Sequence, residues 1–247
     1  GFIYDDGTTS SFTEDHYFMT TTTAQAAGVM VHLEFCAQVL WPELDVRFAS
    51  VSDQWAQMAI AGPKSRVVVA ELVDRDISNE AFPFLAAADV TVMGSVPARL
   101  FRISFSGELA YELAVPAGYG EAVADALMRA GAPHGMCAYG VEALNVLRIE
   151  KGHVTHAELD GRVTPDDAGL GHMMAAGKAD FIGKRLSSRF GLTAADRAQL
   201  VGLKALEADQ DIRAGAHLLK DGAKPSTIND QGWVSSACFS PTLGRPI

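Results

Sequence analysis

Short stretches of the chain alternate between hydrophobic and polar residues with a period of two, which predicts β-strands. The predicted strands cover residues 2–4, 16–21, 46–49, 54–60 and 99–115. Gly107 lies in a polar bend that divides the last stretch into a hairpin. Strands joined by such short bends indicate an antiparallel sheet.

Apolar residues at three- and four-residue spacing predict helices between these strands. The predicted helices cover residues 23–40, 62–74, 119–130 and 139–151. A further short helix is predicted from Thr164, because a cap, a proline and two acids follow one another in helical order at Thr164-Pro165-Asp166-Asp167. Two rounds of strand, strand and helix indicate an α+β protein whose helices cover one side of antiparallel sheets.

The sequence turns polar and loses its periodicity at residues 187–198, and we predict a domain boundary there. The first domain would cover residues 1–195. The second, residues 196–247, is rich in Gly, Pro and Ser with short apolar runs, which is typical of a small, barrel-like β module. Because Gly1 is followed at once by a predicted strand, we expect the chain to be a fragment of a larger subunit.

Composition and charge exclude several classes of function. Of 247 residues, 48% are hydrophobic and 20% charged, so the chain can bury a substantial core. The formal net charge of −10 argues against binding to nucleic acid, whose phosphates it would repel. No apolar run reaches the about eighteen residues that a membrane span needs. The absence of a G-x-G-x-x-G motif, a P-loop and a nucleophile elbow argues against dinucleotide binding and acyl transfer.

Three well-separated cysteines lack the spacing of zinc ligands, and we expect them to be reduced in a cytoplasmic protein. His153 and His156 raise a metal site as an alternative. Only Glu158 stands near them as a further ligand, so we predict no metal.

Two acidic positions are candidates for chemistry. Asp5 and Asp6 end an apolar stretch, and because neighbouring strand residues point to opposite faces, only one of them can enter a pocket. Such a carboxylate could take a proton from a substrate nitrogen. The alternative is structural, since Asp6-Gly7 is also a common turn pair.

Glu112 shares its strand face with the small residues Ala110 and Ala114, while Tyr111 lies on the other face. A buried carboxylate needs donors, and a flat heterocycle with amino and ring N–H groups would supply them. The alternative is a strand that faces solvent on this side. Arg148, on the helix predicted over residues 139–151, could bind a ligand or form a structural salt bridge.

The chain resembles the folate-binding aminomethyltransferase family of the glycine cleavage T-protein. The residues that carry this resemblance are Gly1-x-Ile3-x-Asp5-Asp6, Ile60-Ala61-Gly62-Pro63-Lys64-Ser65, Phe105-Ser106-Gly107-Glu108, Tyr111-Glu112, Leu147-Arg148-Ile149-Glu150-Lys151-Gly152, Thr164-Pro165 and Ser240-Pro241-Thr242-Leu243-Gly244. Within the family, the chain is similar to the C-terminal folate part of the alpha subunits of heterotetrameric sarcosine oxidases. The residues that carry this closer similarity are Thr20-Thr21-Thr22-Thr23, Gln54-Trp55-Ala56, Asn79-Glu80-Ala81-Phe82-Pro83-Phe84 and Phe101-Arg102-Ile103-Ser104-Phe105.

The resemblance implies a tetrahydrofolate site in which Asp6 activates the 10-nitrogen as the catalytic residue and Glu112 anchors the pterin. Asp5, Tyr111 and Arg148 are expected to contact the cofactor. Both acids would border one pocket. The resemblance also implies capture of the methylene group of oxidised sarcosine as 5,10-methylenetetrahydrofolate with release of glycine. Flavin and NAD would be bound elsewhere in a complex with other sarcosine oxidase subunits.

Two positions depart from the T-protein pattern. Phe105 replaces a tyrosine and Leu144 replaces an arginine, which argues against glycine cleavage itself. Two alternatives stay open: a non-catalytic folate-binding or scaffold module, and an iron–sulfur assembly factor of the same fold. The second is disfavoured, because His153 stands where that group has a cysteine. The anionic tail of folate also needs a local basic patch, for which the candidates are Arg99, Arg102, Arg148 and Lys151.

Overall fold

In a computed structural model the chain forms two compact units, and the structure describes residues 1–175 and 177–247. One unit consists of Gly7–Leu144. The other combines Gly1–Asp6 with Asn145–Ile247. These two units do not test the predicted domains, residues 1–195 and 196–247, which stay a prediction.

The unit Gly7–Leu144 begins with a hairpin and a helix. Strands β1 (Thr9–Ser11) and β2 (Tyr17–Met19) pair antiparallel. A 3₁₀ turn, Thr23–Gln25, leads into helix α1 (Ala26–Phe35), which continues as a π turn, Cys36–Leu40. The helix predicted over residues 23–40 is confirmed in its extent.

A four-stranded antiparallel sheet forms the centre of this unit, in the order β3-β6-β5-β4. Its strands and the helices between and after them are β3 (Trp55–Ala61), α2 (Ser65–Ala70), β4 (Ala87–Val92), β5 (Val96–Phe101), β6 (Ala110–Pro116) and α3 (Gly120–Gly131). The predicted hairpin is confirmed as β5 and β6. The bend between them contains Gly107 at a φ of 85°, a left-handed conformation that glycine adopts without strain.

The hydrophobic core lies on the face of the sheet that α2 and α3 cover. Tyr111, Leu113 and Val115 alternate along β6 and are fully buried, as are Val69 of α2 and Val123 of α3. Removing these side chains from water stabilises the unit by roughly 1.5–3 kcal/mol for each large apolar residue. The residues between them on β6 therefore point to the opposite face.

Arg99 on β5 packs the β1–β2 hairpin against this opposite face of the sheet. Its guanidinium carbon lies 4.9 Å from the ring centre of Phe12, 4.6 Å from that of Phe18 and 4.7 Å from that of Trp55. Phe18 also stacks on Phe101 with ring centres 5.7 Å apart. Cation–π contacts of this kind contribute about 0.5–2 kcal/mol each, so the hairpin is attached through one arginine and its aromatic neighbours.

Helix α4 (Val141–Lys151) contains the passage from one unit to the other after Leu144. The remaining elements are α5 (Lys184–Ser187), β7 (His217–Leu219), β8 (Asp230–Trp233), β9 (Phe239–Ser240) and β10 (Arg245–Pro246). β7 pairs with β8 and β9 with β10, each antiparallel. The described C-terminal residues thus form small two-stranded sheets and no closed barrel, which corrects the barrel-like module.

Several predicted elements differ in the structure. Residues 2–4 form no strand, although the Ile3 N–H donates to the Val163 carbonyl at 2.9 Å. Residues 46–49 are exposed and belong to none of the sheets that the described residues form. The helix predicted over residues 62–74 is confined to Ser65–Ala70. Alternation alone cannot predict a strand where no neighbour supplies the ladder of hydrogen bonds.

The helix predicted from Thr164 is a single turn. Asp167 accepts from the Thr164 N–H at 2.8 Å, and Thr164 Oγ1 accepts from the Asp167 N–H at 3.1 Å, as in a capping box. Gly169 then adopts a φ of 71°, which ends the turn. The residues that begin a helix are present at Thr164, as predicted, but Gly169 ends it after one turn.

Gly7 is expected to tolerate no side chain. A Cβ atom at this position would lie 2.0 Å from the Thr20 carbonyl oxygen, and the Thr20 N–H donates to the Thr8 carbonyl beside it at 2.8 Å. Gly7→Ala should therefore destabilise the protein by about 1–3 kcal/mol in chemical denaturation. Gly118→Ala is the control, because a Cβ there meets nothing within 4 Å. Equal stability of the two variants would contradict this packing.

Candidate functional site

Glu112 lies on the sheet face opposite the helices. It pairs with Ala59 of β3 on one side and with Phe101 of β5 on the other. Ala110 and Ala114 flank it along the strand on the same face. Because three of these four neighbours are alanines, the space beside the carboxylate is left unfilled by its own sheet, as the sequence predicted.

Gln57 donates a hydrogen bond from Nε2 to Oε2 of Glu112. The two residues lie on the same face because Gln57 stands two positions from Ala59, the partner of Glu112. Burial raises the pKa of Glu112, and the hydrogen bond from Gln57 opposes that rise only in part. Within the described residues, no Lys, Arg or His forms an ion pair with Glu112. A half-buried acid without a base is a candidate for ligand binding.

Tyr139, just before α4, completes this group of side chains. Burial raises the pKa of the Tyr139 phenol, and the negative charge of Glu112 raises it further. We refer to Gln57, Glu112 and Tyr139 as the Glu112 cluster. Sequence reasoning missed Gln57 and Tyr139, because the first depends on the register between β3 and β6 and the second on the path of the chain after α3.

Tyr111 is not part of this cluster. Its ring is fully buried in the core, and its hydroxyl accepts from Arg66 Nε at 2.8 Å and donates to the Ile77 carbonyl at 3.4 Å. The sequence correctly placed it on the face opposite Glu112. A cofactor contact by Tyr111 stays a prediction.

Asp5 and Asp6 end the N-terminal segment of the other unit. Asp5 is half-buried and Asp6 is exposed, continuing the alternation of the residues before them. Ile3 attaches this segment to Val163 through the backbone. The catalytic role of Asp6, the cofactor contact of Asp5 and the pocket expected to join Asp6 with Glu112 stay predictions.

Arg148 is buried in a network of its own unit. It donates to Asn145 Oδ1 at 2.9 Å, to Glu158 Oε2 at 3.0 Å and to Ser236 Oγ at 2.7 Å. Burial alone raises the pKa of Glu158, but hydrogen bonds from Ser236 and Thr155, together with the charge of Arg148, leave that pKa below its usual value. The salt-bridge interpretation of Arg148 is confirmed, and cofactor binding by Arg148 stays a prediction.

The other candidates for a basic patch have mixed surroundings. Arg99 is stacked among aromatic rings and lies 3.5 Å from Asp89. Arg102 donates to the Phe82 carbonyl at 2.7 Å. Lys151 is exposed. Of the four candidates, Lys151 is therefore the one whose charge is exposed to solvent and forms no ion pair with the residues that the structure describes.

Two features are absent from the residues that the structure describes. No group of three or more His, Cys, Asp or Glu side chains is arranged to hold a metal ion. No helix is long and apolar enough to cross a bilayer.

The GCVT N-terminal domain family matches residues 1–178 of the chain. The chain belongs to this family. It is 62% identical over its whole length to "Sarcosine oxidase subunit alpha" of Rhizobium meliloti, and 44% identical over 99% of its length to the protein of the same name from Corynebacterium sp. strain P-1. The predicted likeness to sarcosine oxidase alpha subunits is thus confirmed.

The fold of this GCVT family member also matches a solved structure, the glycine cleavage system aminomethyltransferase T from Bartonella henselae. The TM-score is 0.77 at 23% identity, over 99% of this chain and 63% of the other. The predicted aminomethyltransferase fold is confirmed. The chain spans 25% of the length of the Rhizobium relative and 26% of the Corynebacterium one.

Glu112→Gln is expected to stabilise the protein at neutral pH. The folded state raises the pKa of Glu112 above its ordinary value of 4.5, so folding costs free energy wherever the carboxylate is ionised. That cost is absent well below pH 4.5 and complete above the raised pKa. The melting temperature of Glu112→Gln should therefore exceed that of the wild type at pH 7.5, and the difference should vanish near pH 4. If Glu112→Gln were less stable than the wild type at pH 7.5, the inference that burial makes the charge of Glu112 costly would be contradicted.

Arg148→Met should strongly destabilise the unit that contains it, because Glu158 would be left buried without its cation. Breaking a buried pair in this way costs about 3–5 kcal/mol. The matched control is Arg213→Met, which removes an exposed ion pair with Asp211 and should cost less than about 1 kcal/mol. Denaturant titration of both variants tests this, and a loss at Arg148 as small as that at Arg213 would contradict it.

Proposed function

We propose that the chain is the folate-binding, one-carbon transfer module of a sarcosine-oxidising complex. Membership of the GCVT N-terminal domain family and the likeness to sarcosine oxidase alpha subunits support this proposal. The single observation that carries it is Glu112, a half-buried carboxylate with a raised pKa, small neighbours and no basic partner among the described residues. We also place the protein in the cytoplasm as part of this proposal.

Glu112 would hold the pterin end of tetrahydrofolate. A carboxylate is an acceptor only, and the pterin ring carries an amino group and a ring N–H that can donate to it. Hydrogen bonds to an ionised group are worth about 1.5–3 kcal/mol, more than those between neutral groups. A ligand that donates two N–H groups would thus offset the cost of burying this acid, which Gln57 compensates only in part.

Asp6 would act as the base that removes a proton from the 10-nitrogen of tetrahydrofolate, with Asp5 beside it as a cofactor contact. Tyr111 and Arg148 would contribute to the cofactor site, Tyr111 from the buried face of the strand that carries Glu112 and Arg148 from the last turn of α4. General-base help of this kind typically contributes about a hundred- to ten-thousand-fold in rate.

The reaction would begin outside this chain, where a flavin oxidises sarcosine to an iminium ion and NAD is bound by other parts of the complex. Glu112 and Asp6 would hold tetrahydrofolate, whose two nitrogens would accept the methylene carbon. The carbon–nitrogen bond to glycine would break, and the two N–H protons of the folate, one of them by way of Asp6, would end on the departing glycine nitrogen. The products are 5,10-methylenetetrahydrofolate and glycine, with no net change in charge.

Asp6→Asn in the complex with the sarcosine-oxidising subunits should lower the rate of 5,10-methylenetetrahydrofolate formation by about a hundred- to ten-thousand-fold. Reduction of the flavin by sarcosine should keep its wild-type rate, and the uncaptured iminium should hydrolyse to formaldehyde. Rapid-mix quantification of methylenetetrahydrofolate and formaldehyde measures both products. Asp53→Asn, at an exposed acid before β3, is the control and should resemble the wild type.

An unchanged yield of methylenetetrahydrofolate in Asp6→Asn would reject the catalytic role of Asp6. If tetrahydrofolate still bound to that variant in calorimetry, the chain would instead be a non-catalytic holder of folate. Absence of tetrahydrofolate binding to the wild type would reject the folate proposal as a whole.

A further inference from the structure

We infer that Gln57 is a positioning residue, which fixes one oxygen of Glu112 so that the other remains free to accept N–H groups of the ligand. This inference rests on the proposed function of Glu112 as the pterin anchor. Gln57 is assigned no contact with the reacting atoms. Its role is exerted through the carboxylate to which it donates.

The sheet register makes the contact possible. Gln57 pairs with Ala114, while Glu112 pairs with Ala59, so the two polar side chains are diagonal neighbours on one face. Diagonal positions across an antiparallel pair are about 7–8 Å apart, within reach of two long side chains. The alanines at the other two corners leave these side chains room to meet. The contact is therefore specified by the backbone pairing and by small neighbours.

A carboxamide suits this role better than a basic side chain would. An arginine could bind both carboxylate oxygens in a bidentate pair and neutralise the charge. Gln57 donates to Oε2 alone and carries no charge, so Glu112 retains its negative charge and a second acceptor oxygen. The hydrogen bond also favours the ionised form, against the burial that disfavours it.

Other titratable groups surround this face of the sheet. They are Tyr139 before α4, Arg99 on β5, Asp89 on β4 and His16 on the hairpin. All of them are unchanged in variants at position 57. A pH profile compared between such variants thus isolates the effect of Gln57 on Glu112.

Two substitutions of Gln57 should change the pH dependence of tetrahydrofolate binding in opposite directions. Gln57→Leu removes the donor, so the pKa of Glu112 rises further and binding is lost at a higher pH than in the wild type. Gln57→Glu places a second carboxylate there, which repels Glu112 at high pH. As the pH falls from 9, the pair of acids takes up one proton. The protonated Glu at position 57 can then donate a hydrogen bond to Glu112 as Gln57 does, so the affinity of Gln57→Glu for tetrahydrofolate should at first increase.

Anaerobic calorimetry with tetrahydrofolate measures these profiles between about pH 5 and about pH 9. Relative to the wild type, we expect the affinity of Gln57→Leu to fall by about tenfold at the acid end of this range, a change of the size that loss of one hydrogen bond to a charged group produces. Gln54→Leu is the matched control, because it changes an exposed glutamine just before β3 and should keep the wild-type profile. Because Gln57 is exposed, Gln57→Leu and Gln57→Glu should both fold, which circular dichroism can check.

The outcomes separate the two proposals. If the wild type binds and Gln57→Leu follows the same pH profile, Gln57 has no positioning role and the folate proposal stands. If the profile of Gln57→Glu moves in the same direction as that of Gln57→Leu, the donor role is likewise rejected. If neither the wild type nor Gln54→Leu binds tetrahydrofolate at any pH, the folate proposal fails and the role of Gln57 fails with it.

Discussion

The antiparallel register of β3 and β6 is the constraint on which the candidate site depends. It places Glu112 opposite Ala59 and diagonal to Gln57. A shift of one residue would move Glu112 into the core face and bring Tyr111 out to the other. Burial of Tyr111, Leu113 and Val115 beneath the helices opposes that shift, so packing on one face fixes the chemistry of the other.

The two acids to which we assign roles in the proposed function have different physical settings. Glu112 is half-buried and Gln57 donates a hydrogen bond to it, but burial still raises its pKa, so its negative charge is costly in the folded protein. Asp6 is exposed at the end of the N-terminal segment. In the proposed function, Glu112 would recognise the pterin ring and Asp6 would remove a proton. By contrast, Glu158 is buried with Arg148 and its network, which is a structural arrangement.

Much of the fold follows from local sequence pattern, and the site follows from it only in part. The β5–β6 hairpin and the helix over residues 23–40 were predicted, because period and bend residues are local signals. Glu112 was found because alanines flank it on its own strand. Gln57 was missed, since its distance from Glu112 depends on pairing between strands fifty-five residues apart. The burial of Arg148 by Glu158 and Ser236 was equally invisible to spacing, because Ser236 is eighty-eight residues away.

A crystal structure of the protein with tetrahydrofolate bound tests the role of Glu112 most directly. We expect the amino group and ring N–H of the pterin to donate to Glu112 at about 2.7–3.2 Å, while Gln57 keeps its hydrogen bond to the other carboxylate oxygen. A bound folate whose pterin ring lies away from Glu112 and donates no hydrogen bond to its carboxylate would contradict this role.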